Sequence, residues 1–598
     1  MSGKIEGSPY AQRPWLEHYP AGVAADFSCP DIVVSDWLSK AARDFPDRPA
    51  TNFAGRRLTY FELLTESDRF AAVLANLGVA KGDRVAVMLP NCPQAVIAYY
   101  GTLSLGAVLV ETNPLYVERE LQFQLADSGA ETIVVLDVLY PRVAAVKNQT
   151  KLKHIIVTGL QDYLPFPKNF LYSWQLKKQG KSVALQSGQG AYRWSDRMSR
   201  AGGKPMADDL KPSDLALLQY TGGTTGVAKG VMLTHQNLVA NVYQVIQWMI
   251  ENHPGQERVL CALPFFHVYG MTVAMNLGVA LAGELIILPK FEIKTALQAI
   301  NKTQPTLFPG APTMYVAINT YPELKKYNIS SIRTCLSGSA PLPVEVQETF
   351  EALTGANLVE GYGLTEASPV THCNPLAGVR KQGSIGLPLP GTECKIVDPN
   401  TGEEIAVGED GELAVKGPQV MVGYWNKPLE TKAALRDGWL FTGDIARMDE
   451  DGYFYIVDRK KDIIIAGGFN IYPREIEEVL YRHPAVKEAA VVGVPDPYRG
   501  ETVKAYLVLK PGQQVGAETI LEYCRHELAA FKTPRIIEFR DELPKTVVGK
   551  VLKRRLLEEA REEEREEERE EERKIDFSEL DVDNITMVRT ERSRGPGC

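Results

Sequence analysis

The sequence lacks several features that mark specialised classes of protein. Its eight cysteines are scattered, with neither a CxxC pair nor metal-ligand spacing, a pattern that favours reduced thiols over a disulfide framework. The formal net charge of −9 argues against a general nucleic-acid binder, which would carry a basic field. The N-terminal segment MSGKIEGSPYAQRPWLEHYP has no apolar stretch and does not resemble a signal peptide. Together these absences predict a cytoplasmic protein.

Long hydrophobic runs are also scarce. The most apolar long segment, MTVAMNLGVALAGELIILP from Met271, is interrupted by Asn276, Glu284 and several glycines. We interpret it as a buried helix followed by a strand rather than as a membrane span. Peripheral contact with the inner surface of a membrane leaves no such signature, and the sequence leaves it open.

The sequence does contain the alternation of strands and helices that is typical of parallel sheets. Helical spacing occurs at 93–107 and after Thr234, between apolar β-branched runs at 84–90, 132–137, 154–159 and 285–289. After about residue 380, shorter strands and dense turn signals indicate an antiparallel, barrel-like section. We therefore expect an α/β fold.

A chain of 598 residues is too long for a single hydrophobic core. The compositional break at DRKKD (458–462) predicts a domain boundary at Lys461, followed by a compact α+β stretch. A charged tail spans 561–598, in which glutamates separate arginines that recur every fourth residue, Arg561, Arg565, Arg569 and Arg573. This spacing supports an exposed single helix. We expect a solvated extension with a disordered end, and docking of a partner is the alternative.

The segment YTGGTTGVAKGVMLTH (220–235) is the strongest motif. Glycines allow backbone N–H groups to approach an anion, and Lys229 adds a positive charge. Further hydrogen-bond donors come from Thr221, Thr224 and Thr225. The segment predicts a polyphosphate clamp, and a glycine-rich hairpin without a ligand is the alternative.

The clamp differs from a Walker A loop, which ends in Gly-Lys-Ser/Thr and runs directly into a helix. Here Gly230 follows Lys229 where serine or threonine would stand. Strands are expected on both sides of the loop, and the helix begins only at Thr234, a plausible N-cap. The sequence therefore argues against a P-loop NTPase.

Three further motifs could complete a nucleotide site. SGSAPLP (337–343) is a small-residue turn that could admit a flat ring against the backbone. In EGYGLTEAS (360–368), Tyr362 offers an aromatic face, and Thr365 and Glu366 offer oxygen ligands to Mg²⁺. In TGD (442–444), Asp444 could accept both hydroxyls of a ribose. A packing role for Tyr362 and a simple turn at Asp444 are the alternatives when each motif stands alone.

These motifs, in this order with DRKKDIIIAGGFNIYPREIEE and PKTVVGK, resemble the adenylate-forming acyl-CoA synthetases, and most closely the bacterial long-chain fatty-acid CoA ligases. The resemblance implies a large N-terminal AMP-binding domain, residues 1–460, with two βαβ-type subdomains and a distorted β-barrel. A small mobile C-terminal domain, 461–560, would follow. The family is often dimeric, so a homodimer is one assembly to expect.

The resemblance also implies the reaction. ATP, Mg²⁺ and coenzyme A would be used to convert a long-chain fatty acid to acyl-AMP with release of pyrophosphate, and then to acyl-CoA. Alternatives are a medium-chain or aryl (coumarate-like) acid CoA ligase, or an acyl-AMP ligase that loads a carrier protein. An interaction scaffold that uses the charged tail is the non-enzymatic alternative.

Site residues follow from the same match. Lys550 would bridge the carboxylate and the α-phosphate, Thr365 and Glu366 would be the other catalytic residues, and Glu366 and Thr221 would hold Mg²⁺. Lys461 would be the hinge of the small domain, and Gly467 and Gly468 would leave room for pantetheine. His267, Tyr269 and Met271 would border the acyl pocket, although His267 could equally be a packed residue. ATP would be held by Thr221, Gly222, Gly223, Thr224, Thr225, Gly226, Lys229, Gly338, Ser339, Ala340, Glu360, Gly361, Tyr362, Gly363, Asp444 and Arg459.

Overall fold

Two units divide the chain in the computed structural model, Met1–Lys461 and Asp462–Cys598. The structure describes residues 8–180, 183, 185, 190–202, 207, 209–221, 228–466, 469–496, 499–546 and 549–578. The expected disorder at the end of the tail concerns residues outside these ranges. Within them, no helix combines the length and the apolar character that crossing a membrane requires.

The strands of the first unit are β1 (Pro49–Phe53), β2 (Arg56–Thr59), β3 (Arg84–Met88), β4 (Val108–Glu111), β5 (Thr132–Leu136), β6 (His154–Thr158), β7 (Ala191–Arg193), β8 (Leu215–Thr221), β9 (Lys229–Thr234), β10 (Arg258–Cys261), β11 (Glu284–Ile287), β12 (Thr334–Ser337), β13 (Asn357–Gly363), β14 (Val370–Cys373), β15 (Leu387–Pro388), β16 (Glu393–Val397), β17 (Gly411–Lys416), β18 (Gly423–Tyr424), β19 (Leu435–Arg436), β20 (Trp439–Met448) and β21 (Phe454–Arg459).

Its α-helices are α1 (Ser35–Asp44), α2 (Tyr60–Asn76), α3 (Pro93–Ser104), α4 (Glu118–Ser128), α5 (Tyr140–Val146), α6 (Lys168–Lys178), α7 (Trp194–Arg200), α8 (His235–Trp248), α9 (Val268–Gly270), α10 (Leu277–Ala280), α11 (Ile293–Thr303), α12 (Pro312–Asn319), α13 (Val344–Thr354) and α14 (Pro428–Ala434). A π-helical turn, Met271–Asn276, joins α9 to α10. Short 3₁₀ helices occur at Pro14–His18, Asp137–Leu139, Lys147–Gln149, Leu160–Asp162, Leu324–Lys326 and Thr365–Ala367.

The largest sheet has eight strands in the order β18-β9-β8-β4-β3-β5-β6-β7. The six strands from β8 to β7 are parallel, as the alternation of strands and helices predicts. Apolar side chains alternate between its two faces, so that Val85 and Val87 of β3 enter one core cluster while Ala86 and Met88 enter another. Burial on both faces explains the continuous apolar character of these strands.

A second sheet system carries two of the predicted nucleotide motifs. Strands β10-β11-β1-β2 form one sheet and β12-β13-β14-β15 form another, and Leu307 bridges β10 to β12. Strands β12 and β13 are parallel, with Ser337 opposite Glu360. This register places the start of SGSAPLP beside the start of EGYGLTEAS.

The antiparallel section after residue 380 is present as predicted. Strands β16-β17-β20-β19 form a sheet, and β21 pairs with β20. Among the described residues the pairings form an open sheet, and no closed ring of strands is recorded. The mixed α/β architecture, with a large first unit and a small second one, is confirmed.

The second unit has strands β22 (Ile464–Ala466), β23 (Phe469–Ile471), β24 (Val486–Asp496), β25 (Gly500–Leu509) and β26 (Ile536–Phe539), and helices α15 (Pro473–Arg482), α16 (Ala517–Glu527) and α17 (Lys553–Ser578). Helix α17 begins within the small unit and continues into the charged tail. Its first turns bury Leu556 and Ala560, and Glu563 pairs with Lys504 at 3.1 Å.

Helix α8 begins where the sequence predicts, at the N-cap Thr234. The Thr234 hydroxyl accepts the Asn237 N–H at 3.2 Å, and Asn237 Oδ1 accepts the Thr234 N–H at 2.9 Å. The Asn237 side-chain amide also donates to the carbonyls of Pro418 and Val420. The cap therefore connects the start of α8 to the segment that leads into β18.

Replacing Thr234 by alanine should destabilise the first turn of α8. Loss of an N-cap hydroxyl costs about 1 kcal/mol, so hydrogen exchange in residues 235–248 should accelerate about fivefold. Thr234→Ser retains the hydroxyl and should exchange at the wild-type rate. Equal rates for Thr234→Ala and the wild type would show that the cap does not support the helix.

Candidate active site

The glycine–threonine loop closes a β-hairpin. Strands β8 and β9 pair antiparallel, and the register places Thr221 opposite Lys229 at its end. The expected strand after the loop is thus confirmed, and the strand-to-helix geometry of a P-loop is absent from this hairpin. The predicted clamp residues Gly222, Gly223, Thr224, Thr225 and Gly226 lie outside the described residues.

Tyr424, which the sequence analysis did not single out, connects Lys229 to Glu366. Strand β18 pairs with β9, so the ring of Tyr424 lies 5.0 Å from Lys229 Nζ. The Tyr424 hydroxyl donates to Glu366 Oε1 at 2.8 Å. Burial, and then the Glu366 carboxylate, raise the pKa of Tyr424, which keeps the phenol protonated as a donor. Its local sequence gives no sign of a partner 58 residues away.

Tyr362 and Asp444 are held together at the end of β13. The Tyr362 hydroxyl donates to Asp444 Oδ2 at 2.5 Å, and Arg459 Nε lies 3.3 Å from Asp444 Oδ1. Asp444 and Arg459 are opposite each other in the β20–β21 pair. Burial and the carboxylate raise the pKa of Tyr362 well above its usual range. Three residues from three separate motifs therefore form one hydrogen-bonded group.

Glu412 supports the turn that carries Asp444. Its carboxylate accepts the Gly443 N–H at 3.1 Å and pairs with Lys460 Nζ at 2.9 Å. The Thr442 hydroxyl donates to the Leu413 carbonyl and accepts the Asp444 N–H. The sequence does not single out Glu412, because the segment VGEDGEL (407–413) indicates only a turn.

The SGSAPLP turn is fixed by Glu360 and by close packing. Glu360 Oε2 accepts the Leu342 N–H at 3.1 Å, and the backbone of Ser339 is left-handed with φ 72°. A Cβ on Gly338 would lie 3.0 Å from the ring of Tyr269. Ala340 is half-buried in the same turn. Glu360 therefore acts as a support for the turn in this structure.

Close packing also explains a glycine in the next motif. A Cβ on Gly363 would lie 2.0 Å from the Pro369 carbonyl oxygen, which no side chain tolerates. Gly361 lies in β13 opposite Cys373. Thr365 and Glu366 are half-buried in the short helix Thr365–Ala367.

The three residues expected to border the acyl pocket lie at the start of the π-helical segment. His267 Nδ1 accepts the Tyr269 N–H at 3.3 Å and caps α9. The Tyr269 hydroxyl donates to the backbone carbonyls of Leu336 and Gly310. These hydrogen bonds fix the position of the Tyr269 side chain. Met271 is buried. The predicted helix followed by a strand is confirmed, and its π-helical turn was not foreseen.

An apolar cavity lies behind the two motif-bearing strands. Val273 of the π-helical turn and Leu277 of α10 line the cavity. Other lining residues come from α8, from strands β12 to β14 and from the segments around them, namely Val245, Trp248, Met249, Leu307, Pro309, Thr334, Cys335, Leu336, Val359, Val370, Cys373, Leu376 and Leu389. The cavity is lined almost wholly by apolar groups, as the apolar parts of ligand sites are.

The second unit carries the remaining candidates. Lys550 N–H donates to Thr546 Oγ1 at 3.1 Å, and the Thr546 N–H donates to the Lys550 carbonyl at 2.8 Å. The basic residues that follow are ion-paired, as Lys553–Glu477, Arg554–Glu558 and Arg555–Glu559. Ala466 ends β22, and the predicted pantetheine-site residues Gly467 and Gly468 lie outside the described residues. Lys461 is the last residue of the first unit.

Comparison with known proteins identifies the family. Residues 38–425 match the AMP-binding enzyme family, and residues 475–550 match the AMP-binding enzyme C-terminal domain. The chain belongs to the AMP-binding enzymes. The resemblance to the adenylate-forming acyl-CoA synthetases is thereby confirmed.

Two relatives are similar over nearly their whole length. The long-chain-fatty-acid–CoA ligase of Bacillus subtilis (strain 168) is 52% identical over 551 residues, which cover 92% of this chain and 98% of that protein. The enzyme of the same name from Escherichia coli O157:H7 is 42% identical, with the same coverage. Among solved structures, ATP-bound MatB from Rhodopseudomonas palustris is 33% identical with a TM-score of 0.78, covering 88% of this chain and 99% of that one.

A buried histidine beside Tyr362 should make this AMP-binding enzyme acid-sensitive. His372 packs 5.9 Å from the Tyr362 ring and 4.7 Å from Phe454, and burial lowers its pKa from 6.5 to about 3. The unfolded chain takes up a proton near pH 6.5 while the folded one does not. Stability is therefore lost as the pH falls below 6.5, by about 2 kcal/mol near pH 5.

His372→Phe should weaken this pH dependence. The measurement is the difference between the thermal unfolding midpoints at pH 7.5 and pH 5. Burial also lowers the pKa of His235, to about 4, so part of the wild-type dependence should remain in the variant. His526→Phe changes an exposed histidine and should leave the difference as in the wild type. A wild-type pH dependence in His372→Phe would contradict the assignment.

Proposed function

We propose that this chain is an ATP-dependent long-chain fatty-acid CoA ligase. The observation that carries the proposal is the apolar cavity behind β12 and β13, lined by Val273, Leu277, Leu336 and Val359. Such a cavity suits an acyl chain better than a charged or hydroxylated substrate, which would leave polar groups without partners. The names of the Bacillus subtilis and Escherichia coli relatives support the same substrate class.

The first half-reaction activates the acid. A carboxylate is a poor acyl donor because hydroxide is a poor leaving group. One oxygen of the fatty-acid carboxylate attacks the α-phosphorus of ATP, and the bond from that phosphorus to the bridging β-phosphate oxygen breaks. The products are acyl-AMP and pyrophosphate. Both reactants are anions, so the site must supply positive charge in the transition state.

The family resemblance supports separate roles for residues that contact the phosphates, the adenine and the ribose of ATP. Thr221, the adjoining glycines and threonines, and Lys229 would hold the β- and γ-phosphates. The Gly338–Ala340 turn and the Glu360–Gly363 strand would border the adenine. Asp444, aligned by Tyr362 and Arg459, would accept the ribose hydroxyls.

Magnesium fits the oxygen atoms that this region offers. Mg²⁺ prefers hard oxygen ligands and takes few from the protein when substrate phosphates supply the others. Among the hydrogen bonds of the described residues, Oε1 of the Glu366 carboxylate accepts a hydrogen bond from the Tyr424 hydroxyl. Glu366 and Thr221 would hold the ion, which neutralises phosphate charge when bound.

The second half-reaction transfers the acyl group. The thiol sulfur of coenzyme A attacks the acyl carbonyl carbon of acyl-AMP, and the bond to the phosphate oxygen breaks. Acyl-CoA and AMP result, and the thiol proton leaves to solvent. The resemblance supports a rotation of the small unit about Lys461 between the two halves, with Gly467 and Gly468 leaving space for pantetheine.

A ladder of acids assayed with ATP, Mg²⁺ and coenzyme A tests the substrate class. We expect acyl-CoA and AMP, with the highest kcat/KM for acids of 12 to 18 carbons. Val273→Phe places a ring in the cavity and should exclude about two methylenes of the acyl chain from it. Each excluded methylene should cost ~0.8 kcal/mol of binding free energy. It should lower kcat/KM for palmitate about tenfold relative to octanoate, whereas Val273→Ala should leave that ratio within about twofold.

Two outcomes of this ladder would overturn the proposal. Maximal rates with aromatic acids and none with long-chain acids would indicate an aryl-acid ligase. Pyrophosphate release that is insensitive to coenzyme A, without an acyl-CoA product, would indicate an enzyme that loads a carrier protein.

Lys550→Ala should separate the two half-reactions. We expect adenylation to fall at least about a hundredfold, because the amine that stabilises transition-state charge is lost. Transfer from pre-made acyl-AMP to coenzyme A should stay within a few-fold of the wild type. Pyrophosphate release and thioester formation are measured separately.

Lys545→Ala is the matched control, since Lys545 lies near the same turn and pairs with Glu488 at 2.6 Å. It should retain both half-reactions. Equal loss of both half-reactions in Lys550→Ala would contradict the assigned role. Loss of activity on deletion of residues 561–598, with Lys550→Ala active, would instead support a scaffold function for the tail.

A further inference from the structure

Helix α6 carries its large apolar side chains on the outside of the first unit. Phe166, just before the helix, is 85% exposed, and Phe170, Leu171 and Trp174 are 68%, 55% and 56% exposed. Leu176 is the buried residue of the helix. A helix on the surface of a soluble protein normally shows the opposite arrangement, with its apolar stripe inward.

The three exposed apolar side chains within α6 form one continuous face. At about 100° per residue, Phe170, Trp174 and Leu171 lie within an arc of about 100°. Lys177 and Lys178 fall at or near the edges of that arc, and Lys178 Nζ lies 5.3 Å from the Trp174 ring. Leu176 lies on the opposite side. We call the side chains of Phe166, Phe170, Leu171 and Trp174 the α6 patch.

The charge around the α6 patch is strongly one-sided. From Tyr163 to Ser195 the sequence has four lysines and one arginine but neither aspartate nor glutamate. This local excess stands out in a chain of net charge −9. A protein surface that combines exposed aromatic rings with an unbroken basic segment is complementary to an apolar layer covered by anionic groups.

Carboxylates close to this region lie away from the α6 face. Glu66 forms an ion pair with Arg69 at 2.8 Å, so its charge is balanced there. Asp162 precedes the basic segment in the chain. Asp137 acts on Tyr172, which lies on the side of α6 opposite Phe170, Leu171 and Trp174.

We propose that the α6 patch binds the surface of an anionic lipid bilayer. The aromatic rings and Leu171 would enter the boundary between headgroups and acyl chains, where tryptophan and phenylalanine are favoured. Lys177 and Lys178 would extend along the apolar surface and place their ammonium groups at lipid phosphates. A second copy of the chain is a poorer occupant, because a twofold contact would bring two basic segments together.

Binding to lipid does not depend on the ligase activity. A bilayer is where a long-chain acid partitions, so the α6 patch would hold the proposed ligase near its substrate. The binding itself needs neither ATP nor acid and can be measured without them. Failure of the ligase proposal and failure of the lipid proposal therefore give different results.

The test is co-sedimentation of the full chain with vesicles of phosphatidylglycerol and phosphatidylcholine. We expect Phe170→Ser, Leu171→Ser and Trp174→Ser, combined in one variant, to weaken binding at least tenfold. The matched control combines Leu115→Ser, Val379→Ser and Leu429→Ser, which remove three other exposed apolar side chains (63%, 60% and 80% exposed). The control should bind within twofold of the wild type.

A second variant tests the charge. Lys177→Glu with Lys178→Glu should weaken binding to anionic vesicles about tenfold and leave the weak binding to pure phosphatidylcholine vesicles unchanged. Added salt should reduce wild-type binding to anionic vesicles, since surface electrostatics are screened. Every variant should adenylate octanoate, an acid that dissolves without a membrane, at the wild-type rate. This control shows that each variant is folded.

Three results would overturn the proposal. Unchanged vesicle binding by the triple serine variant would exclude the α6 patch as the lipid-binding face. Binding that falls equally in the control variant would show non-specific adsorption. A wild-type dimer that the triple variant converts to a monomer, without any vesicle binding by the wild type, would make the α6 patch a protein interface.

Discussion

Hydrogen bonding along both edges of β9 is the constraint on which the candidate site depends. Its pairing with β8 places Thr221 opposite Lys229, and its pairing with β18 brings Tyr424 against Lys229 and toward Glu366. The same strand ends at Thr234, whose cap starts α8. A slip of one residue would turn every side chain of β9 to the other face of the sheet. Strand register thus determines the positions of Thr221 and Lys229, the residues on either side of the loop.

Carboxylates inside the fold act as supports for the motif turns. Glu360 fixes the turn after β12, Glu412 fixes the turn before Asp444, and Glu366 accepts from Tyr424. A buried carboxylate is stable when N–H or O–H donors satisfy it. Because Glu360 and Glu412 are themselves held by strands, the turns of the proposed nucleotide site gain fixed positions. Such preorganisation is what electrostatic catalysis requires.

The sequence predicted what depends on local pattern. The parallel strands, the hairpin that excludes a P-loop, the Thr234 cap and the order of motifs all follow from periodicity and turn chemistry within short segments. Tyr424 and Glu412 were missed because their roles arise from partners 58 and 31 residues away. The helix predicted for the tail is present as far as Ser578, but α17 already begins at Lys553, and Leu556, Ala560 and the Glu563–Lys504 pair attach its first turns to the small unit. The roles of Tyr424 and Glu412 and the start of α17 all depend on long-range packing, which a single sequence does not display.

Apolar side chains serve two opposite purposes in the first unit, and composition alone does not separate them. Val273 and Leu277 face an internal cavity beside the strands that hold Ser337 opposite Glu360. Phe170 and Trp174 face outward, where their exposure is unfavourable in water. An exposed apolar face gains its free energy only when it is covered, and a basic rim selects an anionic cover. The orientation of α6 is therefore best explained by a surface outside the protein, whereas the side chains of the π-helical turn are buried within it.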